Sequence, residues 1–200
     1  MKEIYYPLHI KIQLVFRRQA IRTLLAYENK EAKKSESPYL EYIREYKVKV
    51  LKELEDLCNK INATIDSSLL PKSKDTEAKV FYHKMKGDYF RYIAENLDGE
   101  NKKKYSGLGL QSYQTAMEVG KELDYKNPVK LGLTLNLSVF YYEVLANPTE
   151  ACKIAKETLT QAKEVLSGVD EEDEEYKDSI SIVNLLEENL NMWNMENDEA

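Results

Sequence analysis

The sequence predicts an all-α protein, an antiparallel bundle of about seven helices, and three observations support this prediction. Apolar residues recur with the helical period along almost the whole chain. Only 7 glycines and 5 prolines interrupt its 200 residues, which is few for a fold with many short strands and turns. The segments between the periodic stretches are short, so sequential helices are expected to pack antiparallel.

Local signals set the expected ends of the helices. Prolines that follow a Ser or Asn are typical of a first helical turn, and they occur at 37–38, 127–128 and 147–148. Gly99 is expected to form a left-handed cap, and residues 171–175 place carboxylates in the first turn of the last helix. The predicted helices are 8–31, 38–67, 75–97, 102–123, 128–146, 149–166 and 173–194.

Composition limits the classes of protein. We expect one domain over 1–200, with an atypical start at 1–8 and an acidic tail at 195–200. The net charge of −6 argues against nucleic acid as the main partner. Cys58 and Cys152 have no neighbouring ligands at metal spacing, which predicts reduced thiols and no metal site. The absence of a signal peptide and of a membrane-spanning run predicts a cytoplasmic protein, with the nucleus as a further location.

Two basic stripes point to phosphate binding. Lys84, Asp88, Arg91 and Tyr92 follow the spacing i, i+4, i+7 and i+8, so they share one face of a helix. Upstream, a second helix carries basic residues at i, i+7 and i+11: Lys11, Arg18 and Arg22. If the two faces meet, guanidinium, ammonium and phenol groups surround a pocket that suits a phosphate group. The simpler interpretation of each stripe alone is a solvated helix face.

Two later helices each carry an asparagine within an apolar stripe. The first stripe comprises Gly132, Leu135, Asn136, Val139 and Glu143, and the second comprises Ile182, Leu185, Leu186, Asn189 and Trp193. An amide can both donate to and accept from the backbone of an extended peptide, while apolar neighbours hold its side chains. Each Asn could instead be a satisfied core amide, and Trp193 could be a core residue.

Several long blocks of the chain resemble the 14-3-3 family of phosphoserine/phosphothreonine-binding adaptors. The resemblance extends over about residues 9 to 195 and is carried by FRRQAIR (16–22), REYKVKVLKELEDLC (44–58), KVFYHKMKGDYFRYIAE (79–95), NPVKLGLTLNLSVFYYEVLANPTEACKIAK (127–156) and YKDSISIVNLLEENLNMW (176–193). It implies a cup-shaped, antiparallel helical protein that binds phosphorylated proteins or peptides, with no cofactor and no catalytic activity.

The resemblance also implies a role for each matching residue. The phosphate pocket corresponds to Lys11, Arg18, Arg91 and Tyr92, and the peptide-backbone contacts correspond to Asn136 and Asn189. Other groove positions correspond to Glu143 and Trp193, the apolar wall to Leu135, Val139, Ile182 and Leu185, and supporting positions to Lys84 and Asp88. The family has two further helices before the Lys11 helix, which contribute to its dimer interface. We therefore expect a homodimer or heterodimer that is weakened.

Two other function classes are alternatives to a phosphopeptide-binding adaptor. A tetratricopeptide-like scaffold would bind peptides independently of phosphorylation, and the helical pairs between 105 and 165 allow it. It would not account for the paired basic stripes. An enzyme is disfavoured because the two histidines, His9 and His83, are far apart and no nucleophile motif or phosphate-binding glycine loop accompanies them.

Overall fold

The computed structural model describes residues 2–169 and 174–198, and seven α-helices account for most of them. They are α1 Lys2–Glu31, α2 Leu40–Thr64, α3 Thr76–Ala94, α4 Gly99–Val119, α5 Pro128–Glu143, α6 Pro148–Leu166 and α7 Glu174–Asp198. A π-helical turn, Ile65–Leu69, and a 3-10 turn, Leu70–Lys72, connect α2 to α3. The described residues contain no strand, which confirms the predicted all-α fold class.

Asparagine caps fix the starts of α5 and α6. The Asn127 side-chain oxygen accepts hydrogen bonds from the backbone N–H groups of Val129 and Lys130, at 3.0 and 3.2 Å. The Asn147 side-chain oxygen accepts one from the N–H of Glu150 at 3.1 Å. These bonds satisfy donors that a helix leaves unpaired in its first turn. The two Asn-Pro pairs therefore mark helix starts, as predicted.

Other predicted ends differ from the observed ones. The Ser37 hydroxyl accepts a 3.3 Å hydrogen bond from the N–H of Tyr39, but α2 begins only at Leu40. Gly99 has a φ of 60°, the left-handed conformation expected of it, yet it is the first residue of α4. Helix α7 continues to Asp198, so it includes part of the predicted acidic tail, whereas residues 171–173 lie outside the described residues.

The helices form two compact units, Met1–Thr64 (unit 1) and Ile65–Ala200 (unit 2). Unit 1 consists of α1 packed against α2. In unit 2, α3 packs against α4 and α5, while α5, α6 and α7 pack against one another. The core of that three-helix group comprises Leu131, Ala151, Ala155, Leu159, Ala162, Leu166, Val183, Leu186 and Trp193. A single domain over 1–200 stays a prediction.

Ion pairs establish that α1 and α2 run antiparallel. Glu28 pairs with Arg44 at 3.1 Å and with Lys47, near the end of α1 and the start of α2. Arg17, earlier on α1, pairs at 3.4 Å with Glu53, later on α2. The hydrogen bond from Lys47 is the main reason that the pKa of Glu28 is lowered from its usual value. The carboxylate thus stays charged in the range where both partners are cationic.

Unit 1 leaves much of its apolar surface exposed. Its buried apolar side chains are Leu14, Ile21, Val50, Leu54 and Cys58. Its exposed ones are Ile12, Val15, Phe16, Leu25, Tyr27, Tyr39, Tyr42, Tyr46 and Val48. Burial raises the pKa of Cys58 to about 12, despite the opposing charge of Arg18, so this thiol is an inert part of the core.

Candidate functional site

The carboxylate of Asp88 joins three helices of unit 2. Its Oδ2 accepts a 2.9 Å hydrogen bond from Lys84 Nζ, one turn earlier on α3. Its Oδ1 accepts from the Tyr113 hydroxyl of α4 at 2.6 Å and from Asn136 Nδ2 of α5 at 2.7 Å. We call these four residues the Asp88 cluster. Because Asp88 is only 8% exposed, its three donors replace the water that it loses on folding.

Tyr113 lies in a space that Gly87 leaves open. A Cβ atom at Gly87 would lie 2.7 Å from two ring carbons of Tyr113, so a larger residue cannot fit without a shift. The ring also packs against Phe140, with ring centroids 5.3 Å apart. Burial, and then the charge of Asp88, raises the pKa of Tyr113, so its hydroxyl remains a donor. Nothing in the local sequence pattern identified this tyrosine as a site residue.

Arg91 is a nearly buried cation on α3, with its side chain 11% exposed. Its Nη1 donates to the Glu95 carboxylate, and its guanidinium carbon lies 4.9 Å from the Tyr92 ring centroid. Its Nε is buried and has no hydrogen-bond partner among the described residues. Burial acts to lower the pKa of Arg91, but the electrostatic influence of Tyr113, Glu95 and Asp88 raises it overall. The guanidinium is therefore a fixed positive charge whose N–H donors are not all used by the described residues.

Arg91 and Asp88 have different ion-pair partners. The family resemblance gives Asp88 a supporting position, and its hydrogen bonds go to the other members of the Asp88 cluster. Glu95, one turn after Arg91, forms the ion pair with Arg91. The negative charge of Asp88 nevertheless helps to raise the pKa of Arg91.

Part of the predicted apolar wall lies beside Lys84. A Cβ atom at Gly132 would lie 3.7 Å from Lys84 Cε and 4.0 Å from Ile182 Cδ1, so α3, α5 and α7 converge there. Three wall residues are half-buried against the core: Leu135, Val139 and Ile182. Leu185 is 49% exposed, which leaves an apolar side chain accessible next to them.

The remaining predicted groove residues lie in different environments. Trp193 is 2% exposed and stacks on Tyr142, with ring centroids 4.7 Å apart and an interplanar angle of 13°. The Tyr142 hydroxyl donates to the Glu196 carboxylate. Trp193 is thus a core residue that offers little surface for contact. Asn189 is half-buried and Glu143 is exposed.

The four predicted phosphate-binding residues belong to both units. Arg91 and Tyr92 are in unit 2, whereas Lys11 and Arg18 are on α1 in unit 1. Arg18 is half-buried and lies near Cys58, where its charge acts to lower the pKa of that thiol. The side chain of Lys11 lies outside the described part of the structure. A single pocket formed by all four residues therefore stays a prediction.

Within residues 2–169 and 174–198, no group of three or more His, Cys, Asp or Glu side chains is placed to hold a metal ion. In the same part of the chain, no helix is both long and apolar enough to cross a membrane.

Comparison with known proteins gives a consistent result. The family model described as "14-3-3 protein" matches residues 8–194. A 14-3-3 protein of Giardia intestinalis is 44% identical over 179 residues, which cover 88% of this chain and 71% of that relative. Human 14-3-3 protein beta/alpha is 41% identical over 182 residues, or 90% of this chain and 72% of the relative. The checkpoint signal transducer rad24 of Schizosaccharomyces pombe is 41% identical over 178 residues, which cover 88% of this chain and 65% of that relative. The chain belongs to the 14-3-3 family.

Proposed function

We propose that this chain is a non-catalytic adaptor that binds phosphoserine- or phosphothreonine-containing segments of partner proteins. The observation that supports this most is Arg91, a nearly buried guanidinium beside Tyr92, on the same helix as Lys84 and Asp88 of the Asp88 cluster. Family membership supports an adaptor or signalling role, and one relative is named a checkpoint signal transducer. The proposal includes a cytoplasmic and nuclear location, where such partners are phosphorylated.

The charge of a phosphate group explains the proposed selectivity. A phosphoserine carries about −1.5 to −2 charges near neutral pH and three strong acceptor oxygens. Arg91 can offer a planar pair of donors to such a group, with Tyr92, Lys11 and Arg18 as the further donors of the proposal. Each hydrogen bond to a charged group contributes about 1.5–3 kcal/mol. An unphosphorylated serine would leave these cations without a counter-charge, so it should bind far more weakly.

We expect the chain to bind a labelled peptide with the sequence Arg-Ser-x-phosphoSer-x-Pro at least about 100-fold more tightly than its unphosphorylated twin, because at least two charge-assisted hydrogen bonds are lost. Fluorescence anisotropy titrations of both peptides measure this ratio. Equal affinity for the two peptides would instead favour a tetratricopeptide-like scaffold that is indifferent to phosphorylation. Absence of binding by either peptide would refute the proposed function.

We further propose that the apolar surface of unit 1 associates with a second copy of this chain or with a longer relative. Val15, Phe16 and Val48 are 60%, 68% and 63% exposed, and exposed apolar surface of this extent typically marks an interaction site. Sedimentation velocity should show a dimer that dissociates on dilution. Phe16→Glu should yield a monomer, because a carboxylate would be desolvated at the contact.

Phe81 provides a matched control for this substitution. It lies on α3 in unit 2 and is 44% exposed. Phe81→Glu introduces the same charge at another exposed phenylalanine, so the dimer should persist. A dimer that resists both substitutions would show that other surfaces hold the two copies together.

A further inference from the structure

We propose that Tyr113 is a positioning residue for peptide recognition, which acts through Asp88 to hold the Asn136 amide with its Oδ1 free to accept a backbone N–H of the bound segment. The inference rests on the proposed function and deepens it, since it names the buried group that orients the amide expected to contact the peptide backbone. It also assigns a role to a buried hydroxyl that cannot itself touch a ligand, because Tyr113 is 0% exposed.

The polarity of the Asn136 amide follows from its partner. Asn136 Nδ2 lies 2.7 Å from Asp88 Oδ1, and a carboxylate oxygen can only accept. The amide nitrogen must therefore face Asp88, and the Oδ1 atom of Asn136 points to the other side. Asn136 is half-buried, and its Oδ1 makes no hydrogen bond within the described residues. An acceptor is thus left available next to the apolar wall formed by Leu135 and Val139.

The orientation of the Asp88 carboxylate depends on Tyr113. Lys84 binds Oδ2 at 2.9 Å, but a lysine has a flexible stem and its side chain is 20% exposed. The Tyr113 hydroxyl binds the same Oδ1 atom that receives the Asn136 amide, at 2.6 Å. Its ring lies against Gly87 and Phe140, and these two contacts restrict its movement. A rigid donor on Oδ1 therefore fixes the carboxylate plane and, through it, the amide of Asn136.

The physical consequence is a requirement on the ligand. A segment whose backbone offers an N–H at the position facing Asn136 gains a hydrogen bond of about 0.5–1.5 kcal/mol, or about two- to tenfold in affinity. A segment with an N-methylated residue at that position loses the bond and leaves Oδ1 unpaired. If Tyr113 no longer fixes the cluster, Asn136 can rotate, and the difference between the two segments should shrink.

The experiment compares phosphopeptides that are N-methylated at one residue at a time on either side of the phosphoserine. With the full chain, we expect one methylated position to lower affinity about tenfold. Asn136→Ala should abolish that penalty. Tyr113→Phe, which keeps the ring and removes only the hydroxyl, should weaken the unmethylated peptide about three- to tenfold and reduce the penalty to about twofold or less.

Tyr105→Phe is the matched control, since it removes the hydroxyl of another buried tyrosine of α4 whose ring contacts Phe90. It should leave both affinities and the methylation penalty unchanged. A purely structural role of Tyr113 would weaken the methylated and unmethylated peptides by the same factor, and that result would overturn the inference. So would the absence of any penalty in the unsubstituted chain when it binds the phosphopeptide. Failure of the unsubstituted chain to bind phosphopeptide at all would refute the proposed function itself.

Discussion

Arg91→Lys is expected to weaken phosphopeptide binding about 10- to 100-fold while the helical content stays unchanged. Lysine keeps the positive charge and can still pair with Glu95, but it lacks the planar fork that binds two phosphate oxygens together. Loss of one charge-assisted hydrogen bond, at about 1.5–3 kcal/mol, sets the size of the effect. Anisotropy titrations with the phosphorylated and unphosphorylated peptides measure it, and circular dichroism monitors the fold.

Lysine is a sharper probe than alanine at this position. Arg91→Ala would remove the ion pair that Arg91 forms with the Glu95 carboxylate, which is 19% exposed. Breaking a buried ion pair from one side costs about 3–5 kcal/mol of stability, so lost binding could reflect lost folding. Arg44→Lys is the control, because it makes the same change in an exposed ion pair with Glu28. Unchanged affinity in Arg91→Lys would show that a point charge suffices and that the guanidinium fork has no part in binding.

Within α3, contacts between neighbours on one helix face could be predicted from the sequence. The i, i+4 spacing of Lys84 and Asp88 predicts proximity, and the two side chains form a 2.9 Å ion pair. The same rule connects Arg91 with Glu95, a residue that was not among the predicted site residues. Helical spacing gives several candidate partners for one cation. Which of them pairs depends on the competing donors that reach each carboxylate.

Contacts between helices could not be predicted in this way. Tyr113 is one of 15 tyrosines and lies 25 residues from Asp88 in sequence. Neither its spacing nor its neighbours distinguish it from the rest. The missing side chain of Gly87 indicates the position of Tyr113 only once the packing of α3 on α4 is known. Likewise, the periodicity of α1 and of α3 gives no information on whether Arg18 and Arg91 meet, so their shared pocket stays a prediction.

The α7 stripe shows the angular limit of helical periodicity. Leu185, Leu186 and Trp193 were assigned to one face, yet Leu186 and Trp193 are buried while Leu185 is 49% exposed. Adjacent residues on a helix are separated by about 100°. A stripe of five residues therefore spans both the core-facing side and its edge. The tertiary packing of α5 and α6 decides which residues are covered.

Gly87→Ala is expected to lower the free energy of unfolding by about 1–3 kcal/mol, a typical cost of overpacking a core. The added methyl group would lie 2.7–2.8 Å from three ring atoms of Tyr113, and this ring is fully buried and packs against Phe140. Denaturant unfolding followed by circular dichroism measures the change. In an unobstructed helix interior, replacing glycine by alanine should stabilise the protein by about 0.5–1 kcal/mol. The change expected at Gly87 therefore has the opposite sign to the one that helix propensity alone predicts.

Gly107→Ala supplies that contrast within the same chain. Gly107 lies in the interior of α4, and apart from the adjacent helix backbone a Cβ atom there would meet no atom within 4 Å. The same substitution should therefore stabilise at Gly107 and destabilise at Gly87. If Gly87→Ala also displaces Tyr113 from Asp88, phosphopeptide affinity should fall in that variant and not in Gly107→Ala. Stabilisation at both positions would mean that the Tyr113 ring can yield, and a ring that yields could not hold the Asp88 carboxylate or the Asn136 amide in one orientation.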